Sequence, residues 1–125
     1  MFDIWFDKTS AILHLTLSGH WTAEDFAQFQ QAYAAALEEA TANNGSIGLL
    51  SDSREFPVQS QDVASRFSEL TKQSFARIAA SAIVVGSVLN KVQAERTMKS
   101  DRLKVFLDEE EARDWLRSNL QDRND

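Results

Sequence analysis

Apolar residues alternate with polar ones along the first part of the chain. The alternation covers 2–7, and 13–17 repeats it after a short polar turn at 7–10. A period of two is typical of a strand with one buried face. Two such strands with so short a connection predict an antiparallel β-hairpin.

After Gly19 the apolar residues recur every three or four positions instead of every two, which predicts a long helix. Thr22 is suited to cap its N-terminus, and Asp25 in the first turn complements the helix dipole. The helix is expected to run to about Ala42, because Asn43-Asn44-Gly45 is a strong stop signal. One apolar face is expected to enter the core: Phe26, Phe29, Tyr33, Leu37 and Ala40.

The rest of the chain alternates short apolar runs with helical patterns, which is typical of βα units. The expected elements are a strand at 47–50, a helix capped by Ser60, a strand at 78–85, a helix at 88–99, a strand at 103–107 and a helix capped by Asp108. The order β-β-α-β-α-β-α-β-α predicts an α/β fold with a mixed, mostly parallel five-stranded sheet and packed helices. Its crossovers are expected to be right-handed.

The apolar patterns of the last two helices differ in how clearly they predict a buried face. The final helix carries a regular apolar stripe that places Trp115 in the core, together with Ala112, Leu116 and Leu120. The helix at 88–99 is only weakly amphipathic. Its expected anchors are Leu89, Val92 and Met98.

The 125 residues have the usual size of one domain, expected at 1–120, with a frayed tail at 121–125 that has no apolar anchor. The absence of cysteine excludes disulfides, thiol catalysis and cysteine-type zinc sites. No apolar run approaches the length of a membrane span, and the first residues lack the basic region of a signal peptide. The expected localisation is therefore cytoplasmic.

The formal net charge of −6 limits the classes of partner. An acidic chain repels the phosphate backbone of nucleic acid and anionic membrane surfaces, so neither is expected as a partner. The partners left are a protein, including a second copy of the chain, and a small apolar ligand.

Residues able to carry catalysis are few. The two histidines are His14, on the polar face of a strand, and His20, beside a turn, and neither has a neighbouring cluster of acids. No G-x-S-x-G pattern is present. The acidic run 108–111 is accounted for by the dipole of the helix that it begins, and the glycines at 45–48 have no lysine or helix after them. We therefore expect no enzyme, no metal and no cofactor.

The loop expected after the third strand is the most informative segment. It leaves the C-terminal end of a parallel strand and enters a helix N-terminus, where open α/β sheets usually bind ligands. Its candidate partner- or ligand-binding residues are Asp52, Ser53, Arg54, Phe56, Pro57, Val58 and Ser60. The alternative is a plain connector with Ser60 as helix cap. Trp21, with Phe56 and Val58, is a candidate for an exposed apolar patch, and burial of Trp21 is the alternative.

Three segments resemble the SpoIIAA-like branch of the STAS domains, the fold shared by bacterial anti-sigma-factor antagonists and the cytoplasmic tails of sulfate transporters. The motifs are GHWTAEDF at 19–26, FARIA at 75–79 with VVG at 84–86, and VFL at 105–107 with the EA and WL pairs of the last helix. The first is similar to the family's glycine, threonine and Glu-Asp-aromatic start of its first helix. The last is similar to its closing strand and helix.

The resemblance implies a non-catalytic regulatory module that binds a protein partner. In the antagonists, a kinase phosphorylates a serine at the start of the second helix. The matching position is near Ser60, where Gln59-Ser60-Gln61-Asp62 replaces the family's Asp-Ser-Ser-Gly-like run. A fold relationship to CRAL-TRIO lipid-transfer domains implies the alternative, a carrier or sensor of a small apolar or lipid-like ligand. A dry cavity between helices and sheet favours the carrier, and a filled core with an apolar surface patch favours the partner-binding module.

Overall fold

A computed structural model describes residues 1–74, 76–97 and 100–124. The predicted order of elements is confirmed. The elements are β1 (Phe2–Asp7), β2 (Ile12–Ser18), α1 (Ala23–Asn44), β3 (Ile47–Glu55), α2 (Gln61–Ser74), β4 (Ile78–Val85), α3 (Val88–Thr97), β5 (Leu103–Phe106) and α4 (Glu109–Asn124). Phe75, Met98, Lys99 and Asp125, which figured in the sequence motifs, the α3 anchors or the tail, lie outside the described residues.

The five strands lie in the sheet in their sequence order. β1 and β2 pair antiparallel, and every later pair is parallel, so the mixed, mostly parallel sheet is confirmed. Crossovers that share one hand and always advance in one direction place every crossover helix on the same face. Accordingly α1, α2 and α3 pack on one face, and α4, which crosses to no further strand, covers the other.

Local signals set the two ends of α1 as predicted. The Thr22 hydroxyl accepts a hydrogen bond from the Asp25 N–H at 3.1 Å, and the Asp25 carboxylate accepts one from the Thr22 N–H at 2.9 Å. This reciprocal pair satisfies two N–H groups that the helix leaves without partners. The helix ends at Gly45, whose φ of +69° lies in the left-handed region that favours glycine.

The core has two main layers, one on each face of the sheet. The layer under α1 and α2 is rich in aromatic rings and contains the predicted apolar face of α1. The layer under α4 is smaller and more aliphatic, with Leu116 fully buried at its centre. Trp115 was expected in this core but is only half-buried. It lies on the flank of the stripe, with its ring tilted against Phe106 at 5.8 Å.

The length of β3 corrects the sequence prediction. A strand was expected only to Leu50, followed by a loop from Asp52, but pairing continues to Glu55. Ser51 and Asp52 pair with β2 on one side and β4 on the other, and Ser53 pairs with Val85 of β4. Backbone hydrogen bonds to partners on both sides stabilise a strand whose polar residues have little strand preference of their own. Asp52, Ser53 and Arg54 are therefore strand residues.

The helix α3 packs with the opposite face to that predicted. Asn90, Gln93 and Ala94 lie toward the sheet, whereas the expected anchors Leu89 and Val92 are 65% and 39% exposed. The helix is short and weakly amphipathic, so its own sequence does not decide which face is buried. At the C-terminal end of the described residues, α4 continues to Asn124.

Candidate functional site

A half-open cleft of about 240 Å³ lies between α2, α3 and the sheet. Its floor is formed by β3 and β4, because alternate residues of a strand point to the same face. The floor residues are Leu49, Ser51, Ser53, Ser81, Ile83 and Val85. Three pairs in direct register lie across this floor: Leu49 with Ser81, Ser51 with Ile83 and Ser53 with Val85. The floor thus alternates hydroxyl and aliphatic side chains.

The walls and the mouth come from two helices and a loop. Phe67 and Thr71 of α2 line one side, and Asn90 and Gln93 of α3 line the other. The loop between β3 and α2 closes one end with Phe56, Pro57 and Val58. Val58 is 59% exposed, which places it at the mouth.

An aromatic cluster holds that loop against the body of the protein. The ring of Trp21 contacts those of Phe56, Phe67 and Phe29, with centroids 5.1, 5.4 and 5.3 Å apart. The Trp21 indole N–H also donates to the Ser18 carbonyl at 2.9 Å. Trp21 is only 5% exposed, so the prediction of a surface patch at Trp21 is wrong and the alternative, burial, is correct.

The side chain of Gln59 fixes the same loop by hydrogen bonds. Its carbonyl oxygen accepts from the Trp21 backbone N–H at 2.8 Å, and its amide nitrogen donates to the carbonyls of Gly19 and Pro57 at 3.0 and 2.7 Å. One amide therefore joins the start of α1 to the loop before α2. The mouth of the cleft is a braced structure rather than a free loop.

Four buried serines lie in the cleft lining. The hydroxyls of Ser51 and Ser53 are 3.2 Å apart and hydrogen-bond to each other. The Ser74 hydroxyl donates to the Leu70 carbonyl at 2.8 Å and accepts from the Tyr33 hydroxyl at 3.1 Å. Burial raises the pKa of Tyr33, so its hydroxyl keeps its proton and acts as the donor. Ser81 is 4% exposed.

Charged side chains are absent from the described lining residues of the cleft. The charges of β3 lie on the opposite face of the sheet, since Asp52 and Arg54 alternate with Ser51 and Ser53. There the Arg54 guanidinium bonds to both oxygens of the Asp52 carboxylate at 2.9 and 2.8 Å. The guanidinium holds the pKa of Asp52 below its usual range, and the carboxylate raises that of Arg54.

The predicted site residues therefore separate into two groups. Ser53, Phe56, Pro57 and Val58 line the cleft, whereas Asp52, Arg54, Ser60 and Trp21 do not. Ser60 is exposed, and its hydroxyl accepts a hydrogen bond from the Val63 N–H at 3.3 Å, so its role as a helix cap is confirmed. Sequence reasoning missed Ser51, Ser81 and Phe67. A signal was available for Ser81, which is the one polar residue in the otherwise apolar strand β4.

His14 is also placed differently from the expectation. It was assigned to a polar strand face, yet it is 6% exposed. The opposite face of the sheet is covered by α4, and Trp5 of β1 stacks on its imidazole. His14 therefore lies on the α4 side of the sheet and cannot serve the serines of the cleft as a base. Among the described residues, no group of three or more histidines and acids is arranged to hold a metal ion.

Comparison with known proteins agrees with the fold. A family model described as SpoIIAA-like matches residues 12–117. A solved structure that resembles the chain is an uncharacterised protein of the DUF3478 family with a SpoIIAA-like fold, from Shewanella loihica PV-4. It has 24% sequence identity and a TM-score of 0.68 over 93% of this chain and 92% of the other. No curated protein matches the chain. Within the part of the chain that the structure describes, no helix is long and apolar enough to cross a membrane.

Proposed function

The chain belongs to the SpoIIAA-like family, and from that premise we propose that it is a non-catalytic STAS-type domain that binds a small, mainly apolar ligand. The observation that carries the proposal is the half-open cleft between α2, α3 and the sheet. Its walls combine aromatic and aliphatic side chains with a few hydroxyls and amides. Binding sites for small molecules usually have this composition, with polar groups few and placed to orient the ligand.

The size of the cleft limits the size of the ligand. An engineered apolar cavity of ~150 Å³ in another protein accepts benzene. By proportion, a cleft of about 240 Å³ accommodates a molecule of roughly ten non-hydrogen atoms, or the end of a longer one that projects through the mouth. Transfer of such a molecule from water to this lining is favourable because apolar surface is removed from water on both sides.

The arrangement of the serines supports binding rather than catalysis. A serine nucleophile needs a base within hydrogen-bonding distance. Among the described lining residues, none is a histidine, an acid or a lysine. The proposal is therefore a carrier or a sensor of the ligand.

The test is a titration with cumene, a neutral hydrocarbon of suitable size, followed by ¹H–¹⁵N NMR. We expect saturable shifts in cleft residues such as Ser53 and Thr71. Ala64→Phe places a ring in the cleft and should weaken binding more than tenfold, since Ala64 lines it. Ala35→Phe, at an exposed position of α1, is the matched control and should bind as the wild type does. Saturable binding that Ala64→Phe leaves unchanged, or no binding at all, would contradict the proposal.

A protein partner is the second candidate, and the outer face of α3 favours it. Val88, Leu89 and Val92 share this face and are 66%, 65% and 39% exposed. A cluster of apolar side chains in water is typical of a surface that another protein covers. Co-purification from the native host with wild type and Leu89→Lys tests it. A partner captured by both proteins alike would place the contact elsewhere.

A further inference from the structure

We infer that the ligand is electrically neutral and carries a hydrogen-bonding oxygen, a carbonyl or a hydroxyl, which the hydroxyls of Ser51, Ser53 and Ser81 recognise. The inference rests on the proposed function and names the class of ligand for the same cleft. Its basis is the combination of buried, incompletely used hydroxyls with a lining that has no described charge.

The Ser51–Ser53 pair has one hydroxyl hydrogen to spare. Two hydroxyls contain two O–H donors, and a single bond between them uses one. The two residues are 5% and 7% exposed, so water reaches them mainly through the cleft. The second O–H is therefore available to an acceptor that enters the cleft.

Ser81 extends this polar strip to the next strand. Its side chain is 4% exposed and lines the cleft, so an oxygen of an entering ligand can reach its hydroxyl. Ser74 provides the contrast, since it both donates and accepts within the protein. A ligand that displaces water from the cleft must replace the hydrogen bonds that water makes to these hydroxyls, and an oxygen of the ligand can do so.

The described lining of the cleft is uncharged, and it therefore excludes an anionic head group. A carboxylate or a phosphate in this cleft would lose hydration without a described cation to compensate, because the Arg54 guanidinium lies on the other face of the sheet and binds Asp52. The net charge of −6 adds repulsion at longer range. Neutral alcohols, ketones and amides with a compact apolar body fit the site, and free fatty acids and phosphorylated lipids do not.

Three probes of the same shape and size separate these classes: cumene, acetophenone and benzoate. They share a phenyl ring and differ only in carrying a hydrocarbon, a neutral carbonyl or an ionised carboxylate. At pH 7.5 we expect acetophenone to bind about tenfold more tightly than cumene, and benzoate to bind at least tenfold more weakly than acetophenone. Dissociation constants come from NMR titration of the whole chain.

Alanine variants assign the recognition to the serines. Ser53→Ala and Ser81→Ala should each reduce the ratio of acetophenone to cumene affinity severalfold. Ser118→Ala, at an exposed position of α4, is the matched control and should keep the ratio. The ratio is read on each variant by itself, so a loss of stability does not imitate the effect.

The outcomes distinguish the two proposals. If none of the probes shifts cleft residues, the proposed function fails. If cumene binds but benzoate binds as tightly as acetophenone, the cleft binds ligands and the inference of a neutral ligand is wrong. A preference for acetophenone that survives both serine variants would overturn the assignment to these hydroxyls.

Discussion

The indole ring of Trp5 lies flat on the imidazole ring of His14, with ring centroids 3.9 Å apart and an interplanar angle of 0°. The two residues are direct partners in the β1–β2 register. Trp5 remains 52% exposed, whereas His14 is buried beneath it. Burial lowers the pKa of His14, and the positive charge of Arg113 on α4 lowers it further. The carboxylates of Asp7 and Glu109 oppose these two effects.

The free energy of unfolding should fall as the pH drops below about 6.5, the ordinary pKa of histidine. Because the pKa of His14 is lower in the folded state, the unfolded chain binds a proton first and is favoured by acid. The contribution of His14 to stability is complete above this pH and is lost as the pH falls through the pKa of His14 in the folded state. Urea denaturation between pH 8 and pH 5 measures this loss of unfolding free energy. The carboxylates of Asp7, Asp25 and Asp52 titrate well below this pH range, because the pKa of each is lowered.

Two variants test whether His14 is the source of this pH dependence. His14→Phe keeps a ring for Trp5 to stack on and should flatten the pH dependence in this range. His20→Gln removes the exposed histidine and should leave the dependence as in the wild type. An unchanged slope in His14→Phe would show that another group is responsible.

Gly86→Ala should destabilise the protein by about 1–3 kcal/mol, the range for a group forced into a packed site. A β-carbon at Gly86 would lie 2.7 Å from the backbone oxygen of Arg54, and a backbone atom within a sheet has little freedom to move. Gly48→Ala is the control. Its β-carbon would meet the tip of the Leu120 side chain at 2.8 Å, and this tip can change rotamer, so a smaller loss is expected. Equal losses in thermal unfolding would contradict this explanation.

Leu116→Ala should cost more stability than Trp115→Ala, although tryptophan is the larger side chain. Leu116 is fully buried, and its truncation should cost about 3 kcal/mol. Trp115 already shares its surface with water, so about 2 kcal/mol is expected. Chemical denaturation of the two variants decides the order, and the reverse order would mean that Trp115 is the principal contact of α4.

Ser60→Ala should lower the free energy of unfolding by about 1 kcal/mol, the usual value of a helix cap. Ser60→Asp should retain it, because aspartate also accepts the hydrogen bond from the Val63 N–H. An equal loss in both variants would mean that the cap contributes little. If Ser60→Asp keeps stability but abolishes binding to a protein partner that Ser60→Asn retains, the serine is also a phosphorylation switch.

Four of the seven candidate loop residues line the cleft, for a reason that the sequence contains only indirectly. Ser53 and Val58 line the cleft, and Asp52 and Arg54 do not. The sequence prediction placed the candidate residues around the end of β3, which borders the cleft. It could not separate the two faces, because it ended β3 at Leu50 and treated the following residues as a loop. In a strand, neighbouring residues necessarily point to opposite sides.

The order of elements, the cap at Thr22, the stop at Gly45 and the buried face of α1 follow from the sequence by itself. Each depends on residues within a few positions of one another. The tertiary structure decided the burial of His14, the length of β3, the inward face of α3 and the cleft itself. These features depend on contacts with residues of α4, β4 and the rest of the sheet that are distant along the chain. A serine or histidine has the same local sequence whether its partner is water, another strand or a ligand, so only packing determines which one it meets.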